Sequence, residues 1–474
     1  MSSFSISKSL NKNRVFILQK SELEKRLDPF YYVPELVELE KKVLAQNPKK
    51  LREYVKYISS GATPKADEIE KYYATKENGK PFLRVQNLSP TGVLEFDDCK
   101  YINDETHNGM LNRSKVEEGD LLIKITGVGR MAVSSVAPKG FDGNINQHVC
   151  VIKTGSQEIS KTLSAYLNTD ICEKLASRRS TGGTRPALDY PALLSIPIIE
   201  DLRILEITEK VVQLKKQNET KAEELLASID EYLLNELGIT LPETPENTLK
   251  NRMFTTSLKE ISGGRFDPNF NQAKYINNLA SIRNGRYPTQ QIRQIILDDL
   301  IKGVLPNAKE KEGNRSVVQI NSINSDGTIS LNKLLTAKDI FTDEQQLKNG
   351  DVLVVITGAT IGKIAQWNYR GEYYLVGDIV KFQTNPLADS LFVFYFLRTI
   401  LMQTEIKRNI TGATNGHLSP EDVKYLPIPI PPLEKQKEIA EYITSIREQA
   451  QKLKDETKLV LKLANQEIEK ILLN

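Results

Sequence analysis

Two stretches of the chain place an apolar residue alternately three and four positions apart for many turns. The first runs Ile204, Ile207, Val211, Leu214, Asn218, Ala222, Leu225, Ile229 and Tyr232, and the second Ile439, Ile443, Ile446, Ala450, Leu453, Thr457, Val460 and Ala464. That spacing is the seam of a coiled coil, and the residues between are dense in Lys, Glu and Gln, as expected on its solvated flanks. It predicts long helices over 200–238 and 431–474. About 35 residues at 1.5 Å rise make a rod of roughly 50 Å whose narrow apolar stripe wants a single partner helix, and the other copy is the nearest candidate. The core is assigned to Ile204, Ile207, Val211, Leu214, Leu225, Ile439, Ile443, Ile446 and Leu453, with Asn218 expected to help set register at some cost in stability. The alternative is a pair of ordinary amphipathic helices, each packed on its own globule.

Elsewhere the pattern is that of a mixed α+β protein. Leu121 to Ile125 and Val352 to Ile356 are short apolar, β-branched runs entered through Gly-Asp, the mark of a buried strand after a turn. Pro90-Thr91-Gly92 and Asp326-Gly327 are turn signals. Helices are predicted over Pro34 to Gln46, Ala165 to Ser177 and Ser390 to Asn409.

The second half of the chain restates the first at an offset of about 230 residues. Arg26-Leu27-Asp28-Pro29-Phe30 answers Arg265-Phe266-Asp267-Pro268-Asn269, and Val85-Gln86-Asn87-Leu88 answers Ile320-Asn321-Ser322-Ile323. Gly119 to Gly127 (GDLLIKITG) answers Gly350 to Gly358 (GDVLVVITG). Thr181-Gly182-Gly183-Thr184 with Leu188 and Ile196-Pro197-Ile198 answers Thr411-Gly412-Ala413-Thr414 with Leu418 and Leu426-Pro427-Ile428. Four blocks in one order, drifting by short loop insertions, indicate a duplication. The expected organisation is a first globule over 1–199 with an N-terminal extension, a helix over 200–238, a linker and second globule over 239–430, and a helix over 431–474.

Composition narrows the class. A length of 474 residues suggests about three units, and 39% hydrophobic with 26% charged residues is the balance of a globular chain. No apolar run approaches the ~18 residues of a membrane span, and Met1 to Leu10 is Ser-rich without a secretory apolar block, so a cytoplasmic protein without membrane contact is expected. Cys99, Cys150 and Cys172 form no pair at close spacing, and His107, His148 and His417 are scattered, so neither a disulfide framework nor a metal site is expected. The 64 basic and 61 acidic residues leave a net charge of +3, so any DNA-binding face must come from local arrangement.

The repeated blocks supply candidates for such a face. Thr181, Gly182, Gly183, Thr184 and Arg185, and Thr411, Gly412, Thr414, Asn415 and His417, are small polar loops after basic helix ends, Arg178-Arg179 in one copy and Lys407-Arg408 in the other. Small residues let backbone approach phosphate, while Arg185 against Asn415 suits guanine against adenine. Thr126 with Arg130, and Thr357 with Lys363, close Gly-rich turns that offer one basic residue each to phosphate. The second is no nucleotide phosphate loop, because three residues rather than four separate Gly358 from Gly362 and Ile364 follows the lysine. Arg84, Gln86 and Asn87, matched by Gln319 and Asn321, put polar side chains beside a strand. Each group has a structural alternative as a surface turn.

The ordered set resembles the specificity subunits of type I restriction-modification systems: Arg-[Leu/Phe]-Asp-Pro, Gly-Asp-hydrophobic-Ile-Thr-Gly, Thr-Gly-[Gly/Ala]-Thr, then Ile/Leu-Pro-Ile leading through Pro431-Pro432-Leu433-Glu434-Lys435-Gln436 into a helix. The likeness covers roughly residues 20 to 474. The first copy departs from it at Ile199-Glu200-Asp201, which replaces the Pro-Pro-Leu-Glu run. The resemblance implies two similar mixed α/β target recognition domains, separated by two long helices in an antiparallel coiled coil with a pseudo-twofold internal repeat. It implies a non-catalytic chain that reads two halves of an interrupted, asymmetric site on double-stranded DNA. Its implied partners are two methyltransferase (modification) subunits docked on the helices, which carry S-adenosylmethionine, and restriction/translocase subunits within the complex.

Two rival readings are weighed. A self-contained DNA methyltransferase needs a glycine-rich loop for S-adenosylmethionine and an Asn/Asp-Pro-Pro-aromatic pocket. Asp267-Pro268-Asn269-Phe270 is similar to the latter, yet its counterpart Asp28-Pro29-Phe30-Tyr31 assigns it to the duplicated framework. A protein-only coiled-coil scaffold explains the helices and leaves the twinned globules without purpose.

Overall fold

The computed structural model describes residues 9–24, 26–65, 68–243, 248, 253, 255, 257, 265–307, 309–412 and 416–473. The chain divides into two compact units, Met1–Glu219 with Lys454–Asn474, and Thr220–Leu453. Each is α+β, and each takes part of both long helices. The longer helices are α1 (Pro34–Leu44), α2 (Gln157–Leu167), α3 (Asp170–Arg179), α4 (Leu202–Leu237), α5 (Ala273–Arg283), α6 (Ser390–Arg398), α7 (Ile400–Asn409) and α8 (Leu433–Leu473).

In the first unit an antiparallel sheet runs in the order Tyr57–Ser60, Val149–Lys153, Leu121–Lys124, Ser134–Val136. Alternate residues of the buried Leu121–Lys124 strand serve two cores, as the period of two requires. Leu121 and Ile123 face Leu163 of α2 and Leu175 of α3, while Leu122 joins Leu83, Val116 and Ile145. These last three lie on a second sheet, Lys100–Ile102, Lys80–Leu83, Asp142–Ile145, Lys115–Glu117, parallel only at its central pair. The second unit repeats the plan with Ile301–Lys302, Ile379–Phe382, Val352–Val355 and Ile364–Gln366 in one sheet and Leu335–Ala337, Lys311–Val318 and Tyr373–Leu375 in the other. In both units the Pro-Ile block returns to close the globule as a short strand: Pro197–Ile198 pairs Lys49–Lys50, and Pro427–Pro429 pairs Thr289–Gln291.

The helices predicted over Ala165 to Ser177 and Ser390 to Asn409 are each divided in two. The break falls on Thr169 and Thr399. Each hydroxyl accepts the N–H three residues on, Cys172 at 3.1 Å and Met402 at 3.3 Å, and donates to the carbonyl three residues back, Tyr166 and Phe396, both at 2.8 Å. A threonine that ends one helix and caps the next makes a corner, and such a cap contributes about 1 kcal/mol.

Within each unit the long helices pair antiparallel. In the first, Ile204 shares a core with Ile468 and Leu472, whereas Asn218, further along α4, bonds to Thr457, earlier in α8. In the second, Glu236 pairs with Lys435 at 2.7 Å, and Tyr232 packs on Tyr442 with ring centroids 4.2 Å apart. Of the predicted seam, Ile204, Ile439, Ile443 and Ile446 are buried, and Ile207, Val211, Leu225 and Leu453 are half-buried. Leu214 is the correction: it is 36% exposed, because a straight helix drifts against a strict heptad and turns this position outward. Leu233, Leu234 and Leu237, outside the predicted set, are buried in the core of the second unit at the end of α4. No described helix is long and apolar enough to cross a membrane.

Candidate nucleic-acid interface

The fold brings two of the repeated blocks together in each unit. In the first, Thr126 forms a β-bridge to Ala187, and Thr181 bridges the same residue. The 181–187 loop is closed by a reciprocal pair, Thr181 N–H to Ala187 O and the converse, both 2.8 Å, and held to the Gly-rich turn by Gly127 N–H to Pro186 O at 3.0 Å. Its residues Thr181, Gly182, Gly183, Thr184 and Arg185 are all exposed. In the second unit Thr357 and Thr411 both bridge His417, the Thr411–His417 pair bonding reciprocally at 2.9 and 2.8 Å. Gly182 and Gly412 both have φ near +92°, the left-handed region that makes glycine necessary here. Thr411 and Gly412 are exposed and His417 half-buried; Thr414 and Asn415 lie outside the described residues.

The Arg-x-Asp-Pro block has a function that its position in the sequence does not reveal. The Arg26 guanidinium donates to the carbonyls of Arg179 and Ser180 at 2.7 and 2.8 Å, satisfying the end of α3 where the exposed loop departs. Arg265 does the same to Asn409 at the end of α7, at 3.2 Å. A cation at a helix C-terminus completes carbonyls left without partners and meets the negative end of the dipole. Both copies thus use an arginine from a distant segment to fix the loop's point of departure. Within the first unit a groove of about 500 Å³ runs beside this loop, lined by Arg26, Phe30, Gly129, Thr181 and Gly183 among others.

Several predicted DNA contacts are committed within the chain. Arg178, Arg179 and Arg408 are buried, 5%, 9% and 8% exposed. Arg178 and Arg179 both pair with Glu40, and Arg178 also donates to Tyr31 O at 2.7 Å while its guanidinium stacks 4.0 Å from the Tyr31 ring. Arg408 repeats that arrangement on Phe270, at 2.9 and 4.0 Å, with Glu405 of its own helix as the anion. Removal from water requires a hydrogen-bonded counter-charge, and distant α1 supplies it in one unit, α7 itself in the other. Arg130 is held by Asp170 and Asn168 O, and Lys363 by Ile323 O at 3.0 Å. Arg84 and Gln86 both reach Asp98. Asn87, 1% exposed, closes its own turn by accepting from Arg84 N–H and donating to Glu95 O. Gln319 donates to Lys333 O. Asn321 and Lys407 are exposed.

Two residues outside the predicted set stand at the centre of the cluster. His148 and Asp378 occupy equivalent positions ahead of the strands Val149–Lys153 and Ile379–Phe382. Each carbonyl accepts a backbone N–H from the strand end beside it, Ile125 at 3.0 Å and Ile356 at 2.9 Å. His148 Nε2 lies 3.5 Å from the Arg185 guanidinium, and burial, then the Arg185 charge, hold its imidazole below the usual histidine range. Asp378 instead accepts the Thr357 hydroxyl. Beneath the first unit's turn, buried Lys124 donates to Val128 O at 2.7 Å, and burial depresses its pKa. The signal for the His148 and Asp378 pair was present in the repeat offset; nothing in the residue types marked it. Among the described residues no group of three or more His, Cys, Asp or Glu is placed to hold a metal ion.

The family model that matches is the type I restriction modification DNA specificity domain, over residues 294–463. The chain is 30% identical over 121 residues to the type I restriction enzyme MjaVIII specificity subunit of Methanocaldococcus jannaschii, which is 25% of this chain and 26% of that protein. The match therefore spans about a quarter of that relative's length. Similar solved chains include one from work on complex assembly and conformational transition of the type I R-M system, at 16% identity and a TM-score of 0.42, covering 90% of this chain and 96% of that one. The S subunit of M. genitalium aligns at 12% identity and 0.39, covering 90% and 94%. The HsdS subunit of Thermoanaerobacter tengcongensis aligns at 14% and 0.36, covering 90% and 96%. The family match falls on the second copy of a duplicated plan, and the chain resembles the specificity subunits of type I restriction-modification systems.

Proposed function

We propose that this chain is the DNA sequence-recognition subunit of a type I restriction-modification complex. Its two units read the two halves of a bipartite, asymmetric target, and its long helices dock methyltransferase subunits and set the gap between half-sites. The observation that carries this reading is the recurrence of one loop cluster in both units, Thr126 with the 181–187 loop and Thr357 with the 411–417 loop, on residue sets that differ in chemistry. Similar clusters with different side chains suit two different base sequences, since backbone contacts position a reader and side chains at base edges specify.

Catalysis belongs in this proposal to the methyltransferase partners and their S-adenosylmethionine, with restriction/translocase subunits joining through the complex, in the cytoplasm. With a net charge of +3, much of the salt-dependent phosphate contact is assigned to those partners. The test is methylome sequencing of cells expressing the chain with a methyltransferase subunit that assembles with it. An interrupted motif with two unlike halves is expected. One continuous short motif, or methyl transfer by the purified chain alone, contradicts the proposal.

A further inference from the structure

The two loop clusters share a pattern of β-bridges, and the position just ahead of the central strand carries a different side chain in each. His148 and Asp378 each immediately precede a central strand, each carbonyl takes a hydrogen bond from the residue before the Thr-Gly turn, and each side chain is half-buried. One is a donor-acceptor ring beside a guanidinium; the other is a carboxylate.

We propose that this position determines base specificity: Asp378 accepts a hydrogen bond from the exocyclic amino group of cytosine or adenine in one half-site, and His148 orients Arg185 toward the acceptor edge of guanine in the other. The inference rests on the reading of the chain as a DNA reader and adds which side chains discriminate and for what.

The chemistry follows from the partners on each side. An ionised carboxylate offers about four lone-pair sites and no proton. The Thr357 hydroxyl occupies one of them on Oδ1, which fixes the carboxylate plane and leaves the rest to accept. In the major groove only cytosine N4 and adenine N6 present amino donors, while guanine and thymine would set oxygen acceptors against the carboxylate. In the other unit a guanidinium has donors only. It faces His148 Nε2 at 3.5 Å, so Nε2 acts as the acceptor, and the ring restrains one edge of Arg185 while the rest of the fork remains at the exposed loop. Guanine O6 and N7 are the acceptor pair that a positioned arginine fits. His148 is accordingly a positioning residue and Arg185 the reader.

The experiment uses the full chain co-expressed with an assembling methyltransferase subunit, with motifs read by methylome sequencing for wild type, Asp378→Ala, Asp378→Glu and His148→Asp. For Asp378→Ala, which removes the acceptor, discrimination should fall roughly tenfold or more at a single position of one half-site, with the other half unchanged as the internal control of folding. Asp378→Glu should retain an amino-bearing base there. His148→Asp should relax a guanine in the opposite half only. Unchanged motifs in both Asp378→Ala and His148→Asp overturn the inference while leaving the DNA-reader proposal standing. Loss of both halves together in either variant also overturns it, because it shows a structural role. A wild-type chain that yields no two-part motif removes the DNA reader and this inference with it.

Discussion

The Asn218 side-chain amide donates to the Thr457 hydroxyl at 3.1 Å, joining a polar position of one long helix to a polar position of the other inside an otherwise apolar seam. The two lie in one compact unit, and their pairing is compatible with only one antiparallel register. A slip of one seam position would set Asn218 against Leu453 or Val460 and Thr457 against Leu214 or Ala222.

Asn218→Ala should therefore lower the unfolding free energy by about 1 kcal/mol, the net value of a typical hydrogen bond. Asn218→Leu combined with Thr457→Val should be neutral or stabilising, since both partners are then apolar. A double-mutant cycle by chemical denaturation checks this, and a coupling near zero contradicts it.

Glu40 neutralises two buried arginines, Arg178 and Arg179. Glu40→Ala strands both charges and should cost about 3–5 kcal/mol, read as increased hydrogen exchange in α1 and α3. Arg178→Ala should act on stability in the same way and leave the salt slope of DNA binding unchanged; a slope reduced by about 1 would instead mark it as a phosphate contact.

At φ near +92°, Gly182 and Gly412 hold a backbone conformation that alanine adopts only with strain, and a Cβ on Gly182 would meet Arg185 O at 3.0 Å. Gly182→Ala should cost about 1–2 kcal/mol locally and weaken selectivity for one half-site. Gly183→Ala, whose Cβ would meet nothing within 4 Å, should fold as wild type. Equal effects of the two substitutions on thermal stability would refute the assignment.

Because burial and then Arg185 depress the His148 pKa, the folded state resists protonating this ring. Its contribution to stability is present above the unfolded-state value of about 6.5 and is lost as pH falls through the lower folded value. By NMR titration, His148 should titrate below that value, and Arg185→Ala should move it part of the way back up. No movement would place Arg185 too far from the ring to be oriented by it.

Much of the architecture is legible in one dimension. The buried strand Leu121–Lys124 and its counterpart Val352–Val355 follow from apolar runs after Gly-Asp, and the long helices from their three-four spacing, because burial repeats with the local geometry of the backbone. The corners at Thr169 and Thr399 are less visible, since the flanking apolar pattern continues across them and only the side-chain capping bonds reveal the break. Leu214 shows the limit of a strict heptad.

By itself, then, the sequence determined the duplication, the α+β class and the two seams, all of which depend on patterns among near neighbours. Tertiary structure alone decided which basic residues are exposed. Arg178 and Arg185 look alike in the chain, yet Glu40 and Tyr31, more than 130 positions earlier, bury the first, and the 181–187 loop carries the second into solvent. It also decided that Arg26 anchors that loop and that His148 and Asp378 stand in equivalent places. A charge is free or committed according to its partners, and those partners are brought to it by folding rather than by adjacency in the chain.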